Sequence, residues 1–330
     1  MKAAIYTEYG AADTVRIAEI PTPAPGPKQV LIRVRASSVT TADWRLRASA
    51  FPGILWLPGR LMTGLLRPRN SVLGMEMAGE VVAVGHAVTR FTPGQRVFGF
   101  AGGGAHAEFL VLDEDATILP TPDDLSDAEA AALPFGALCA LVFLRDVANV
   151  APGQRVLILG GSGGVGVYAI QVAKALGANV TASASAGNSG LMRDLGADVV
   201  LDYRVDDPAS AGPYDLVFDT VGATNWARIR TVLRKTGLFL PLNFGARELW
   251  HMLRAKLAGG PRIVLHVNAD RADDLRVILG MIADGLLRPV IDRRFPLERI
   301  AQAHVYVEGR HRKGAVIVDV TPAAQVPAAA

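Results

Sequence analysis

The chain reads as α/β, with a doubly wound parallel sheet next to a β-rich, partly closed barrel. Three observations carry this. Residues 156–159 form a continuous aliphatic run, which suits a strand buried on both faces. The run stops at Gly160, and Gly161, Gly163 and Gly166 then stand in a G-x-G-x-x-G pattern. That pattern opens a stretch with Ile170, Ala173 and Leu176 at helical spacing, which Gly177 ends. From about residue 126 helical and aliphatic stretches alternate, whereas the first hundred residues hold short strand-like runs between Gly- and Pro-rich turns.

In chain order, strands are expected at 3–6, 15–20, 30–36, 77–84, 96–100 and 107–112. The Pro-rich segment 21–27 is a stiff surface connection, and the glycines 102–104 form a turn rather than a phosphate cradle. An apolar insertion spans 51–70, with Leu61, Met62, Leu65 and Leu66 at helical spacing. Two readings stand for it: a helix packed on the barrel, or a lid over an apolar substrate site. Ser126 with Glu129 forms a capping box. After the glycine motif, strands are expected at 179–183, 198–201, 215–219, 237–242 and 262–267. Helices fall at 189–195, 226–233 and 249–257. The helix 272–286, the segment 288–295, a helix from 297 and the strand 315–320 are too few for a domain and return to complete the barrel. Residues 1–124 with 268–330 are therefore expected as one domain and 125–267 as the other. The alanine-rich end reads as unstructured.

The bulk numbers exclude several classes. The 330 residues are 50% hydrophobic and 20% charged, with a net charge of +3 and no block of like charge, so no basic stripe points to nucleic acid. The single cysteine, Cys139, rules out internal disulfides and multi-cysteine zinc sites, and a reducing, cytoplasmic compartment is expected. The N-terminus lacks a signal-type apolar core. The run 130–144 is interrupted by Pro134 and Gly136 and reads as a buried helix, not a membrane span.

Strand, glycine turn and helix in that order suit a dinucleotide pyrophosphate. Small residues let the backbone come close, and the helix N-terminus offers free N–H groups, so Gly161, Ser162, Gly163, Gly164 and Val165 are assigned to it. The end of the second sheet strand carries no carboxylate for ribose hydroxyls. Ser183, Ser185 and Asn188 there suit a 2′-phosphate, which favours NADPH over NADH. Val221, Asn243, Phe244 and Asn268 stand at later strand ends, where ligands of such sheets bind.

With these motifs the sequence resembles the medium-chain dehydrogenase/reductase superfamily, in its zinc-free, quinone-oxidoreductase-like branch. The matching segments run from MKAAIYTEYG through VLGMEMAGEVVAVG, FTPGQRVFG, AHAEFLVLDE, EAAALPFGALCAL, APGQRVLILGGSGGVG and LGADVVLDYR. They continue with YDLVFDTVG and a closing stretch to AVIV. The resemblance implies a GroES-like catalytic domain beside a Rossmann domain, and a homodimer. Zinc-dependent relatives carry a cysteine in the SSVTTADW region and a histidine where Met75 stands. Here neither is present, and Glu76 alone makes no metal site, so a metal-free enzyme is expected. Thr40 stands where many relatives have asparagine, Cys139 where they have threonine, and Gly187 where they often have arginine. Tyr203 matches a residue at the adenosine end, and Arg204, Arg312 or Lys313 is expected to supply the missing charge.

The reaction this implies is hydride transfer from NADPH to a quinone or another small conjugated carbonyl, with enal or enone reduction as the alternative. A different class stays open: an NADPH-binding structural or regulatory protein with little turnover. Thr40, Asp43 and Trp44 are the first candidates for the acceptor side, with Asn243 and Asn268 at strand ends after them, and Asp43 reads equally as a helix cap. The histidines form no catalytic set. His304 is placed on a surface helix, while His106 and His266 lie near the cleft in structural roles.

Overall fold

The computed structural model describes residues 1–222 and 224–321, and the expectation for the alanine-rich end falls almost wholly outside them. β1 (Lys2–Ile5) and β2 (Arg16–Glu19) pair as an antiparallel ribbon. β3 (Gln29–Ser38) leads to helices α1 (Thr41–Ala48) and α2 (Trp56–Thr63). β4 (Glu76–Val84), β5 (Arg96–Phe100), β6 (Phe109–Asp113) and β7 (Ile118–Pro120) follow. β3 organises this unit. One of its edges pairs with β4 along nearly the whole strand, and the other is shared between β6 and the last strand, β15 (Ala315–Asp319). β14 (Ile291–Pro296) lies parallel to β15, so the chain end extends the N-terminal sheet in the order β14-β15-β3-β4-β5-β7. Glycines 102–104 all adopt positive φ between β5 and β6, as a turn requires.

The second unit begins with α3 (Asp127–Ala131), whose Ser126–Glu129 capping box forms as expected, and α4 (Pro134–Leu141), which continues as a π-helical turn over Val142–Val147. Then come β8 (Arg155–Leu159), α5 (Gly166–Ala175), β9 (Asn179–Ala184), α6 (Ser189–Asp194), β10 (Val199–Asp202) and β11 (Tyr214–Asp219). They are followed by α7 (Trp226–Ile229), β12 (Leu233–Pro241), α8 (Ala246–Ala258), β13 (Arg262–Ile263) and α9 (Ala272–Ala283), whereas α10 (Ile300–Glu308), between β14 and β15, packs in the core of the first unit. The six strands are all parallel in the order β10-β9-β8-β11-β12-β13, which is the Rossmann order 3-2-1-4-5-6.

The aliphatic run of β8 is buried on both faces. Val156 and Ile158 pack with α4 and α5, and Leu157 and Leu159 with Tyr214, Phe239 and Ile263 on the other side. Two expectations need correction. The sixth strand is only two residues long, because residues 264–270 leave the sheet to wall a cleft. The helix expected at 226–233 stops at Ile229, because β12 starts early and shifts register against β11. His304 is corrected as well: it is fully buried on the inward face of α10 with Ile300, Ala303 and Val307, and stacks edge-on against His106 at 5.9 Å. Among the described residues no helix is long and apolar enough to cross a membrane.

At the head of α5 the backbone turns back on itself. Gly160 has φ +78°, and a Cβ on Gly166 would stand 2.1 Å from the Gly160 carbonyl oxygen. Gly166→Ala is therefore expected to cost about 1–3 kcal/mol of stability, read as a lowered denaturant midpoint in equilibrium unfolding.

Candidate active site

A cavity of about 350 Å³ opens between the two units, a size suited to a small ligand. Its barrel-side wall starts at α1. Thr40 caps this helix: its hydroxyl accepts from Asp43 N (3.2 Å) and donates to the Asp43 carboxylate (2.6 Å). That carboxylate also accepts from the N–H groups of Thr40 (2.8 Å) and Gly74 (2.9 Å). Thr40 and Asp43 are buried and committed to each other, so their expected acceptor-side role is corrected: Asp43 is the cap. Thr41, Trp44 and Arg45 face the cavity instead. The missed signal was spacing, since positions 41, 44 and 45 share one helical face and 40, 43 and 47 the buried one. Arg47 is fully enclosed, donating to Gly10 O (2.9 Å) and Glu308 (2.6 Å).

Met75, Phe100, Phe135 and Phe143 form apolar walls. Behind them the buried Glu76 accepts from the Ser38 hydroxyl and from Phe135 N (2.5 Å). Loss of solvent pushes its carboxyl up to about 7 against the pull of these hydrogen bonds.

Of the residues assigned to the dinucleotide, Gly163, Gly164, Val165, Cys139, Val221, Asn243 and Phe244 line the cavity. No side chain caps α5, and although Val167, Tyr168 and Ala169 bond back to Gly163 and Val165, the N–H groups of residues 164–166 at its head have no protein acceptor among the described residues. Arg312 lies against this loop, since a Cβ on Gly164 would stand 2.7 Å from its Nη2, and it donates to Val39 O (3.0 Å) and Thr41 Oγ1 (3.0 Å). Lys313 is corrected in favour of Arg312: it is exposed, and its backbone N–H donates to Asp292 (2.8 Å).

Gly161, Ser162, Ser183, Ser185, Asn188 and Tyr203 lie away from this cavity, toward the sheet end formed by β9 and β10. The Asn188 amide, expected to meet a phosphate, is spent inside the protein on Ser162 Oγ (2.9 Å) and Ser185 Oγ (3.2 Å). Gly187 has open space around it, Tyr203 is exposed, and the Arg204 guanidinium stands 5.7 Å from its ring.

At the other end, His266, Asn268 and Asp270 come from the segment that left the sheet. His266 meets Phe143 edge-on, and Asn268 donates to Asp270 (2.5 Å), whose carboxyl burial shifts upward. His106 is buried on Ser38 O (3.0 Å) outside the cavity. Burial also pushes the Cys139 thiol far above its usual range, so it stays protonated at neutral pH. Of the two readings for 51–70, the lid finds no support in the cavity lining, which includes none of these residues. α2 packs on Tyr9 through Thr63 and Arg60 and leaves Leu61, Met62, Leu65 and Leu66 exposed. Arg45 on α1 and Arg310 in the turn after α10 escaped the sequence reading, because charged residues are ordinarily solvated.

Zinc does not fit these residues. Among the described residues no three His, Cys, Asp or Glu side chains converge, Glu76 is held by its own donors, and Met75 offers only a neutral thioether.

Residues 26–123 match the Alcohol dehydrogenase GroES-like domain family and residues 195–318 the Zinc-binding dehydrogenase family. The chain is similar to the chloroplastic quinone-oxidoreductase QR1 of Triphysaria versicolor, 31% identical over 97% of this chain and 98% of the relative. It is also similar to the chloroplastic NADPH-dependent alkenal/one oxidoreductase of Arabidopsis thaliana (31%, 98% and 80%) and a mitochondrial NAD(P)H oxidoreductase of Bos taurus (29%, 97% and 89%). Among solved structures, a quinone oxidoreductase from Coxiella burnetii superposes with a TM-score of 0.86 at 29% identity, covering 97% of this chain and 99% of that one. A mycobacterial protein solved with NADPH gives 0.81 at 26%, covering 97% and 100%. These relatives, chloroplastic and mitochondrial, stand against the cytoplasmic expectation. Addresses are carried by segments separable from the fold, so cysteine usage did not decide the matter.

Two outcomes check this geometry. Glu76 ionises near 4.5 when unfolded and near 7 when folded, so the folded state holds the extra proton in between and loses stability as pH rises through that window. In Glu76→Gln this dependence vanishes, and calorimetry should show the variant gaining on the parent between pH 5 and 8, by at most roughly 3 kcal/mol. Cys139 should react with iodoacetamide at pH 7.5 far more slowly than free cysteine, read by mass spectrometry.

Proposed function

Because the chain belongs to the quinone-oxidoreductase-like branch of the medium-chain dehydrogenase/reductase superfamily, we propose that it reduces a quinone or an α,β-unsaturated carbonyl with NADPH and without a metal. The observation that carries this reading is the cavity, an apolar slot that ends on an uncapped helix N-terminus and Arg312. NADPH supplies the hydride when bound. Gly163, Gly164 and Val165 would hold its pyrophosphate through the free N–H groups of residues 164–166 at the head of α5, with the Arg312 guanidinium beside them. Thr41 Oγ1 accepts from Arg312 and so keeps its own hydrogen for an acceptor oxygen, the role the sequence reading gave to Thr40. The phenylalanine walls exclude water and align a planar acceptor. A conjugated acceptor spreads the incoming charge itself, so no Lewis acid is required. In the balance one carbon gains the hydride and the acceptor then takes one proton from water.

NADPH is preferred to NADH on three grounds. β9 ends without a carboxylate, Gly187 leaves room, and Arg204 with Tyr203 offers a cation nearby. The similarity to a protein solved with NADPH supports the same choice.

Cofactor oxidation with an ortho-quinone and with an enal should proceed, with NADPH bound at least tenfold more tightly than NADH. Tighter NADH binding overturns the cofactor choice, and tight NADPH binding without turnover favours the binding-protein reading. Arg312→Ala should raise the NADPH dissociation constant tenfold or more in a fluorescence titration, as befits a lost charged hydrogen bond of about 1.5–3 kcal/mol.

A further inference from the structure

One end of the cavity holds polar groups that nothing in the protein satisfies. Arg45 gives Nη2 to the Asn243 carbonyl oxygen, but its buried Nε has no partner, and neither has the buried Nε1 of Trp44. Arg310 sits over the Trp44 ring at 5.2 Å, in a left-handed conformation (φ +58°) rarely adopted by side chains of its size. Among the described residues no carboxylate pairs with Arg45 or Arg310. Burial and the neighbouring Arg310 both lower the Arg45 pKa, so the two cations oppose each other. The carboxylate in the same cavity, Asp270, is taken by Asn268 and raised toward its neutral form by burial. The buried Arg45 Nε–H and the buried indole N–H are costly at the end of an apolar slot unless an acceptor joins them, and the exposed Arg310 adds a second positive charge that favours an anion there.

We propose that Trp44, Arg45 and Arg310 form an anion subsite, and that the preferred acceptor is a conjugated carbonyl bearing a carboxylate. This rests on the reductase reading for the reaction, but not for the binding. Asn243 holds the Arg45 guanidinium by one nitrogen and leaves the Nε–H to meet a carboxylate oxygen, while Arg310 meets the other from above the indole. The pyrophosphate cradle at Gly163–Val165 has its own cation in Arg312, so the second pair is left for the substrate.

Two measurements test this. The first compares 4-oxopent-2-enoate with its methyl ester as acceptors for the parent, Arg45→Met, Arg45→Lys and Arg310→Met. The ratio of the two kcat/KM values should fall at least tenfold in both methionine variants, through KM of the carboxylate, and stay within threefold in Arg45→Lys. The second is calorimetric titration of the NADP⁺-loaded protein with saturated 4-oxopentanoate, which reads the subsite even if no acceptor turns over. Its dissociation constant should rise at least tenfold in Arg45→Met and Arg310→Met, with circular dichroism confirming that both variants are folded. An unchanged ratio with unchanged 4-oxopentanoate binding overturns the proposal. So does a rise confined to the NADPH dissociation constant, which would give these arginines to the cofactor.

Discussion

The cleft depends on one buried carboxylate. Asp43 accepts three hydrogen bonds, two from Thr40 and one from the N–H of Gly74, and so locks the start of α1 to the chain that leads into β4. Gly74 needs its positive φ of 106° to come this close, because a Cβ there would stand 2.5 Å from His106 N. With the buried face of α1 held in this way, the opposite face must present Thr41, Trp44 and Arg45 to the cavity. Neither Thr40 nor Asp43 touches the cavity, yet both determine what does.

The electrostatics of the cleft follow one rule. Positive groups line the cavity without a carboxylate paired to them among the described residues: the head of α5, Arg312, Arg45 and Arg310. Carboxylates are neutralised or occupied: Glu76 by burial between Ser38 and Phe135, Asp270 by burial beside Asn268, and Asp43 by its three donors. In a site walled by phenylalanines such an imbalance is felt strongly, because few water dipoles screen it. It favours a ligand that arrives with negative charge and develops more during reaction.

Much of the fold was legible in the sequence, for physical reasons that differ by region. The run 156–159, the glycines after it and the capping box at Ser126 and Glu129 are local signals whose meaning tertiary context reinforces. The departure of 264–270 from the sheet was not legible, because aliphatic residues leaving a strand look the same as residues within it. His304 was misplaced because a lone histidine carries no sign of burial, although Ile300, Ala303 and Val307 around it mark an inward face. Ser183 and Ser185 stand at the end of β9, where the strand pattern put them, but Asn188 is bonded inward, a matter of side-chain reach that spacing does not encode.

The sequence by itself determined the α/β class, the Rossmann sheet around its glycine turn, the family and the absence of a thiolate–imidazole ligand set. Each of these is written in residue identity and short-range period. Tertiary structure alone decided which side of α1 faces the cavity, that Arg312 rather than Lys313 lies against the glycine loop, and that Arg45 and Arg310 share one cavity end. These pairings join residues about 150 to 270 positions apart, and only the closure of β15 onto β3 brings them together.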